Sequence, residues 1–352
     1  MHGVRIAGIG SYAPAGVLTN QDLERLVDTT DDWIVQRTGM RRRHIAAPDQ
    51  ATSDIAVPAA LAALDAAGRE PKDIGAIIVA TATPDYLFPA TACLVGDRLG
   101  LAGTPAFDIS IACSGFVYGL TTAASLIRGG MFESVLVIGA ETLSKIVDYT
   151  DRSTCVLFGD GAGAAVLERT KEDRFLGASL GADGADPTVL YLPGGGSRTP
   201  YSSVNGEFHD KRLGFVHMQG QSVFKVAVNM MAASTTAALA QAGLTPDDID
   251  FVVPHQANSR IIDATVKMLK VSPDKCIVNI QEYGNTSSAS IPLALAEAVE
   301  AGRVKDGNIV VLVAFGGGLS WGANVWRWDG ARVGKVPAKY AKAEQPARVA
   351  TA

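Results

Sequence analysis

Charge is scarce in this 352-residue sequence, and what there is nearly balances. Only 19% of residues are charged and the net charge is -5, which argues against a general nucleic-acid binder, since that needs a basic face. Cysteine is also sparse. Cys93, Cys113, Cys155 and Cys276 are widely scattered, with no CxxC pair and no Cys/His spacing for zinc, so no metal site is expected. Unpaired thiols fit the cytoplasm. The N-terminus, MHGVRIAGIGSYAP, has no apolar stretch of the kind a signal peptide carries. Long uncharged runs are rare too. The one of about membrane-spanning length, 307–326, is broken by Gly316-Gly317-Gly318. It reads as two buried strands, 309–315 and 321–328, joined by a glycine turn, and no membrane is expected.

What is abundant is apolar residue, 47% of the chain, enough for two ordinary domains or one large one. The chain also repeats itself. AALDAAGREPKDIGAIIVAT (62–81) resembles AALAQAGLTPDDIDFVVPHQ (237–256), pairing Gly68 with Gly243, Pro71 with Pro246, Asp73 with Asp248 and Ile74 with Ile249, each offset by 175 (243 minus 68). VLVIGAE (135–141) matches VVLVAFG (310–316) at the same offset, GAAVLER (163–169) matches GANVWRW (322–328), and FLGASLG (175–181) answers VRIAGIG (4–10). Two copies of one strand–helix–strand α/β unit are implied, with a cleft between them. The copies span 1–172 and 173–329. Helices are expected over 53–68 and 220–243. Residues 183–217 read as a loop excursion forming a lid or pocket wall, and 330–352 as a disordered tail.

The stretch AFDISIACSGFVYGLTTAASLIRGG (106–130) is the centre of the reading. A buried strand hands over to a helix at Cys113, and Gly129-Gly130 stops the helix. A thiol at a helix N-terminus ionises more easily; the alternative is a buried apolar cysteine. Three features of the second copy point to the same place. His255 follows a strand, as a reactive imidazole or a structural one. Asn285 precedes a helix, as an active group or an N-cap. Its offset from Cys113 is 172 (285 minus 113), which places it at nearly the equivalent position of copy two. Gly316-Gly317-Gly318 either lets backbone N–H groups meet a ligand or makes a tight turn. Trp33 and Arg37 share a helix face and can stack a purine and meet a phosphate, unless Trp33 is simply packed. The run Arg41-Arg42-Arg43-His44 reads as a solvated face. Gly159–Ala164 has GxGxG spacing and precedes a strand, so it fails the test for a dinucleotide-binding turn.

IACSGF (111–116), PHQAN (254–258), GNTSSAS (284–290) and FGGGLSWG (315–322) resemble the active-site motifs of the 3-oxoacyl-acyl-carrier-protein synthase III family. WIVQRTGMRRRH (33–44), DYTDRSTCVLFGDGAGAAVL (148–167) and GQSVFKVAV (220–228) extend the likeness in order from about residue 3 to 328. The resemblance implies a thiolase-like α/β fold of two duplicated halves in five α/β/α/β/α layers, as a homodimer. It implies Cys113, His255 and Asn285 as the catalytic triad. Trp33, Arg37 and Arg152 would hold the nucleotide of coenzyme A, and Asn258 its pantetheine arm. Phe88 would cross a dimer interface to close the partner's acyl pocket, which Leu143, Phe158 and loop 192–217 would shape. Lys225, Arg260 and Lys267 would meet an acidic carrier protein, although Met268 stands where a second lysine often follows. The implied activity initiates dissociated fatty-acid synthesis. Acyl-CoA is a substrate and no cofactor is required. Backbone N–H groups of Cys113 and Gly317 would form the oxyanion hole, and Phe315 would keep the site of malonyl decarboxylation apolar. The alternatives are a sibling enzyme of secondary metabolism, a non-catalytic acyl-CoA-binding protein and a cysteine hydrolase.

Overall fold

A computed structural model describes residues 2–201, 208, 210–347 and 349. The chain opens with β1 (Gly3–Tyr12), β2 (Gly16–Thr19), α1 (Asn20–Leu23), α2 (Asp31–Thr38) and β3 (Arg42–Ile45). The first half continues through α3 (Thr52–Ala67), β4 (Ala76–Ala80), α4 (Thr91–Arg98), β5 (Ala106–Ile109) and α5 (Gly115–Arg128), then β6 (Ser134–Thr142), α6 (Arg152–Cys155) and β7 (Asp160–Thr170). The second comprises β8 (Phe175–Ala182), β9 (Leu190–Tyr191), β10 (His217–Met218), α7 (Gly220–Gln241), β11 (Phe251–Pro254) and α8 (Ser259–Leu269), followed by α9 (Ile280–Tyr283), α10 (Ser290–Glu300), β12 (Ile309–Gly316) and β13 (Ser320–Arg327). Two short strands follow, β14 (Arg332–Val333) and β15 (Gln345–Pro346).

Two mixed sheets carry the repeat. One is ordered β14-β1-β7-β6-β4-β5, the other β8-β13-β12-β11. In each, the first strand of the half (β1 or β8) runs antiparallel to its neighbour (β7 or β13), while β4 and β11 lie parallel to β6 and β12. Cys276 bridges Val252 where β5 would stand in the second copy. The turns before β4 and β11 match in detail: Gly68 and Gly243 take φ 63° and 68°, and Asp73 and Asp248 accept the N–H groups of Glu70 and Thr245.

Three apolar clusters make five layers. Ile55 and Leu64 of α3 and Val95 of α4 cover one face of the first sheet, over Ile77, Val79 and Ile138. Phe116 and Leu120 of α5, with Ile291 and Leu295 of α10, lie between the sheets, against Ile78, Val137, Val310 and Leu312. Met231 and Leu239 of α7 and Ile262 of α8 cover the far face of the second sheet, over Val252, Val311 and Val313. Strands covered on both faces must be apolar throughout, so β4 reads AIIVA and β12 IVVLVAFG without alternation. α7 is long and apolar enough to cross a membrane by composition, and packing of one face on the second sheet accounts for that.

Several expectations change. The GxGxG run lies on β7, where Gly161 and Gly163 back directly onto Leu293 and Pro292 of α10. The basic run is not a solvated face: on β3, Arg43 is fully buried and His44 beside it is buried too. Its guanidinium donates to Asn20 Oδ1 (2.8 Å) and to the carbonyls of Val156 (2.8 Å) and Leu18 (3.4 Å). The tail is not structureless in its described residues. β14 pairs with β1 and β15 with β2, and Glu344 meets Arg42 at 2.8 Å. Its polarity misled because backbone pairing, rather than apolar burial, holds it.

Candidate active site

Two matched turns build the floor of the cleft between the halves. Ala112–Ser114 forms a 3-10 turn that starts α5, and Ser287–Ala289 forms one that starts α10. Ala112 and Ser287, 175 apart (287 minus 112), both take the left-handed φ of 47°. The counterpart of Cys113 is therefore Ser288, not Asn285, which sits three residues earlier. Gly316, at the end of β12, lets this turn close: a Cβ there would lie 2.7 Å from the Cys113 nitrogen. A Cβ on Gly317 would come 3.7 Å from that of Ala112.

Cys113, His255, Asn285 and Phe315 line one cavity of about 670 Å³. Burial pushes the Cys113 thiol up to about 12, opposed by the Ser287 side chain. Dehydration therefore favours the neutral thiol at rest. Burial holds the His255 imidazole down to about 3, so it is neutral. Its Nδ1 lies 2.7 Å from Ser290 Oγ, and its backbone N–H donates to Val313 O at 2.7 Å. Asn285 is fixed by its backbone, which exchanges bonds with Leu157 and Gly159, and its Oδ1 accepts the Ser287 N–H at 2.9 Å.

Trp33, Arg37, Asn258 and Arg260 also line this cavity. Thr30 caps α2 by accepting the Trp33 N–H. The Trp33 ring carries two guanidiniums, Arg152 at 4.9 Å and Arg37 at 5.7 Å from its centroid. Asn258 caps α8: Oδ1 accepts the Arg260 N–H and Nδ2 donates to Arg37 O. Lys225, Arg260 and Lys267 are exposed, and Arg260 lies 6.0 Å from the Phe224 ring, a further cavity residue.

The expected acyl pocket is brought together only in part. Phe158 lines the cavity; Leu143 does not, being buried in the adjoining core. Phe88 is 85% exposed and off the cavity of its own chain. Apolar wall residues missed by sequence reasoning are Val156 and Leu157 after α6, and Val223, Ala227 and Met231 on α7. Their spacing on α7 was visible but also fits packing on a sheet. Of the excursion 183–217, Leu190 forms wall, joined by Met218 just beyond it on the β9–β10 ladder; no described residue of loop 192–217 lines the cavity, and its residues 202–207 and 209 lie outside the described residues.

Comparison with known proteins identifies the family. Residues 107–184 match the family model for 3-oxoacyl-[acyl-carrier-protein (ACP)] synthase III, and 239–328 the model for its C-terminal part. The beta-ketoacyl-[acyl-carrier-protein] synthase III of Caldanaerobacter subterraneus is 53% identical over 92% of this chain and 97% of its own. The crystal structure of 3-oxoacyl-[acyl-carrier-protein] synthase III from Aquifex aeolicus superposes with a TM-score of 0.85 at 46% identity, covering 93% of this chain and 100% of that one. The priming beta-ketosynthase of the R1128 polyketide pathway gives 0.86 at 35% identity, over 94% and 97%. The five layers are those of the thiolase-like fold, and the chain belongs to the 3-oxoacyl-[acyl-carrier-protein] synthase III family.

Proposed function

We propose that the protein is the initiating condensing enzyme of dissociated fatty-acid synthesis. It moves an acyl group from a short acyl-CoA to Cys113. It then condenses that group with malonyl-acyl-carrier protein to give 3-oxoacyl-acyl-carrier protein. The observation that carries this reading is the single cavity that joins Trp33 and Arg37 at one end to Cys113, His255 and Asn285. Adenine stacks at Trp33 with Arg37 and Arg152 on the phosphates, and the pantetheine arm passes Asn258 toward the sulfur.

In the first half-reaction Cys113 Sγ attacks the thioester carbon. Both Cys113 and His255 favour their neutral forms when buried, so the thiol proton leaves during attack, to His255 Nε2 and then to the departing coenzyme A sulfur. The N-terminus of α5 and the N–H groups of Cys113 and Gly317 stabilise the oxyanion. In the second, the malonyl thioester oxygen accepts hydrogen bonds from His255 Nε2 and Asn285 Nδ2. The carbon–carboxylate bond breaks and carbon dioxide leaves beside the apolar Phe315. The electron pair left behind attacks the acyl-Cys113 carbonyl, the carbon–sulfur bond breaks, and the released Cys113 thiolate takes a proton from solvent.

A homodimer is supported by the open edge strand β5 and by apolar side chains beside it: Tyr86 is 61%, Leu87 76% and Phe88 85% exposed, and Phe107 37%. There Phe88 would enter the partner's acyl pocket. Exposed Lys225, Arg260 and Lys267 near the mouth suit an acidic carrier. The test is intact-mass spectrometry after mixing with acetyl-CoA. Acylation at Cys113 is expected, and an unmodified chain sinks the reading in favour of a pure binder. The likeness to a priming polyketide ketosynthase favours a second reading with the same site and a different pathway; turnover across short straight and branched acyl-CoAs separates the two.

A further inference from the structure

Glu141, near the end of β6, is fully buried behind the catalytic turn, and no step above uses it. No cation faces it among the described residues. Oε2 accepts from Ala82 N (3.0 Å), Thr83 Oγ1 (2.9 Å) and Thr81 Oγ1 (3.2 Å). Oε1 lies 2.9 Å from Ser287 Oγ and 2.8 Å from Ser288 Oγ. Ser288 settles the proton count. Its hydroxyl also lies 2.8 Å from the carbonyl oxygen of Ala80, which can only accept. One hydroxyl proton cannot fill two short contacts, and oxygen lone pairs held that close without a proton repel. A second proton must sit among these three groups, and the carboxyl is the only one able to carry it. Dehydration acts in the same direction.

We propose that Glu141 is a positioning residue held as a neutral carboxylic acid: it donates to Ser288 and accepts from Ser287, seating both beside Cys113 without putting a negative charge behind the nucleophile. The inference rests on the reading of Cys113 as nucleophile. Ser287 carries the strained φ of 47° in the turn matched to that of Cys113 and its side chain lies beside the thiol, so its seat bears on the sulfur. A carboxylate in this dry place would oppose both the thiolate and the oxyanion. Cys113 is the titratable group facing Glu141; its other neighbours, Thr81 and Thr83 after β4 and Ser287 and Ser288 before α10, carry no charge.

The test combines infrared spectroscopy with thiol alkylation. At about pH 8, where ordinary carboxyls are ionised, the wild-type protein should show a protonated-carboxyl band. The band should move on carbon-13 labelling of glutamate and vanish in Glu141→Gln. Glutamine supplies the same neutral donor and acceptor, so the pH midpoint of Cys113 alkylation by iodoacetamide should stay within about 0.3 of wild type. Absence of the band in the labelled wild type overturns the proposal, and needs no variant to fold. A midpoint falling by about one pH unit or more in Glu141→Gln also overturns it, because a charge would then have been removed. Neither readout uses acyl-CoA, so a failure of Cys113 to become acylated is a separate result.

Discussion

The Ser290 hydroxyl lies 2.7 Å from His255 Nδ1 and 3.3 Å from the backbone nitrogen of Gln256, which donates to it. A hydroxyl holding one such bond can still either accept or donate. It therefore suits both tautomers that the proposed half-reactions ask of His255, one with a bare Nε2 and one with a protonated Nε2.

That relationship separates the half-reactions by mutation. Cys113→Ser should lose acyl transfer, since an alcohol is a far weaker nucleophile at neutral pH. His255→Ala should become acylated more slowly, since the thiol proton loses its acceptor, and both His255→Ala and Asn285→Ala should fail to decarboxylate malonyl carrier. Ser290→Ala leaves a ring nitrogen unpartnered, which costs about 1–3 kcal/mol, or roughly five- to 150-fold in condensation. Acylation followed by mass, beside carbon dioxide release, checks each. A His255 variant acylated as fast as wild type would remove His255 from the first half-reaction.

At the mouth, Trp33→Ala and Arg152→Ala should raise KM for acyl-CoA with little change in kcat, because both act far from the bond being made. Stacking of this kind is worth about 0.5–2 kcal/mol, which corresponds to a rise of roughly two- to thirtyfold. Acyl-pantetheine, which lacks the nucleotide, is the control. Equal weakening for both substrates would rule out contact with adenine.

Carrier docking is tested by Arg260→Glu with Lys267→Glu. The two sit seven residues apart on α8, about 10 Å along one face. Reversing both should reduce carrier-dependent turnover strongly at low salt and flatten its dependence on salt. Acetyl transfer from coenzyme A should survive. Carrier kinetics left intact by the double change would move the docking surface elsewhere.

Buried titratable groups also make stability depend on pH. His255 is held down to about 3 from 6.5, so below 6.5 the unfolded chain takes up a proton that the folded chain refuses, and stability falls as pH drops. Asp160 is pushed up to about 6 from 3.8 by burial; it contributes stability below 3.8 that disappears as pH rises through 6. Between the two, His255 dominates the acid side near pH 6. His255→Asn should therefore lose less stability than wild type from pH 7 to 5, by up to about 2 kcal/mol. Urea midpoints at both pH values measure it, and parallel losses would contradict a neutral buried imidazole.

Much of this architecture is readable from a few residues. Gly68 with Gly243 and Pro71 with Pro246 revealed the duplication, because identical turns need identical backbone freedom. Cys113, His255 and Asn285 stood out as reactive or polar groups near strand ends, each with a structural alternative open until the family resemblance joined them, and the structure brings all three to one cavity. The misassignment of Asn285 as the counterpart of Cys113 came from matching strand–helix junctions instead of holding the offset at 175. Arg43 was misread because a charge run carries no sign of which side chain turns inward. The cavity wall on α7 was hidden because apolar residues facing a substrate and those facing a sheet follow the same helical period.

β14 covers part of the outer margin of β1, with Gly8 opposite Arg332 and Ile9 opposite Val333, and Gly334 donates to Ile9 O. On that side the sheet ends in the two-residue β14, while β5 ends it on the other. A short edge strand carrying a charge is a poor template for a further strand. The polar tail thus acts as a stopper on one margin of the sheet, turning away the edge-to-edge growth that makes a fibre.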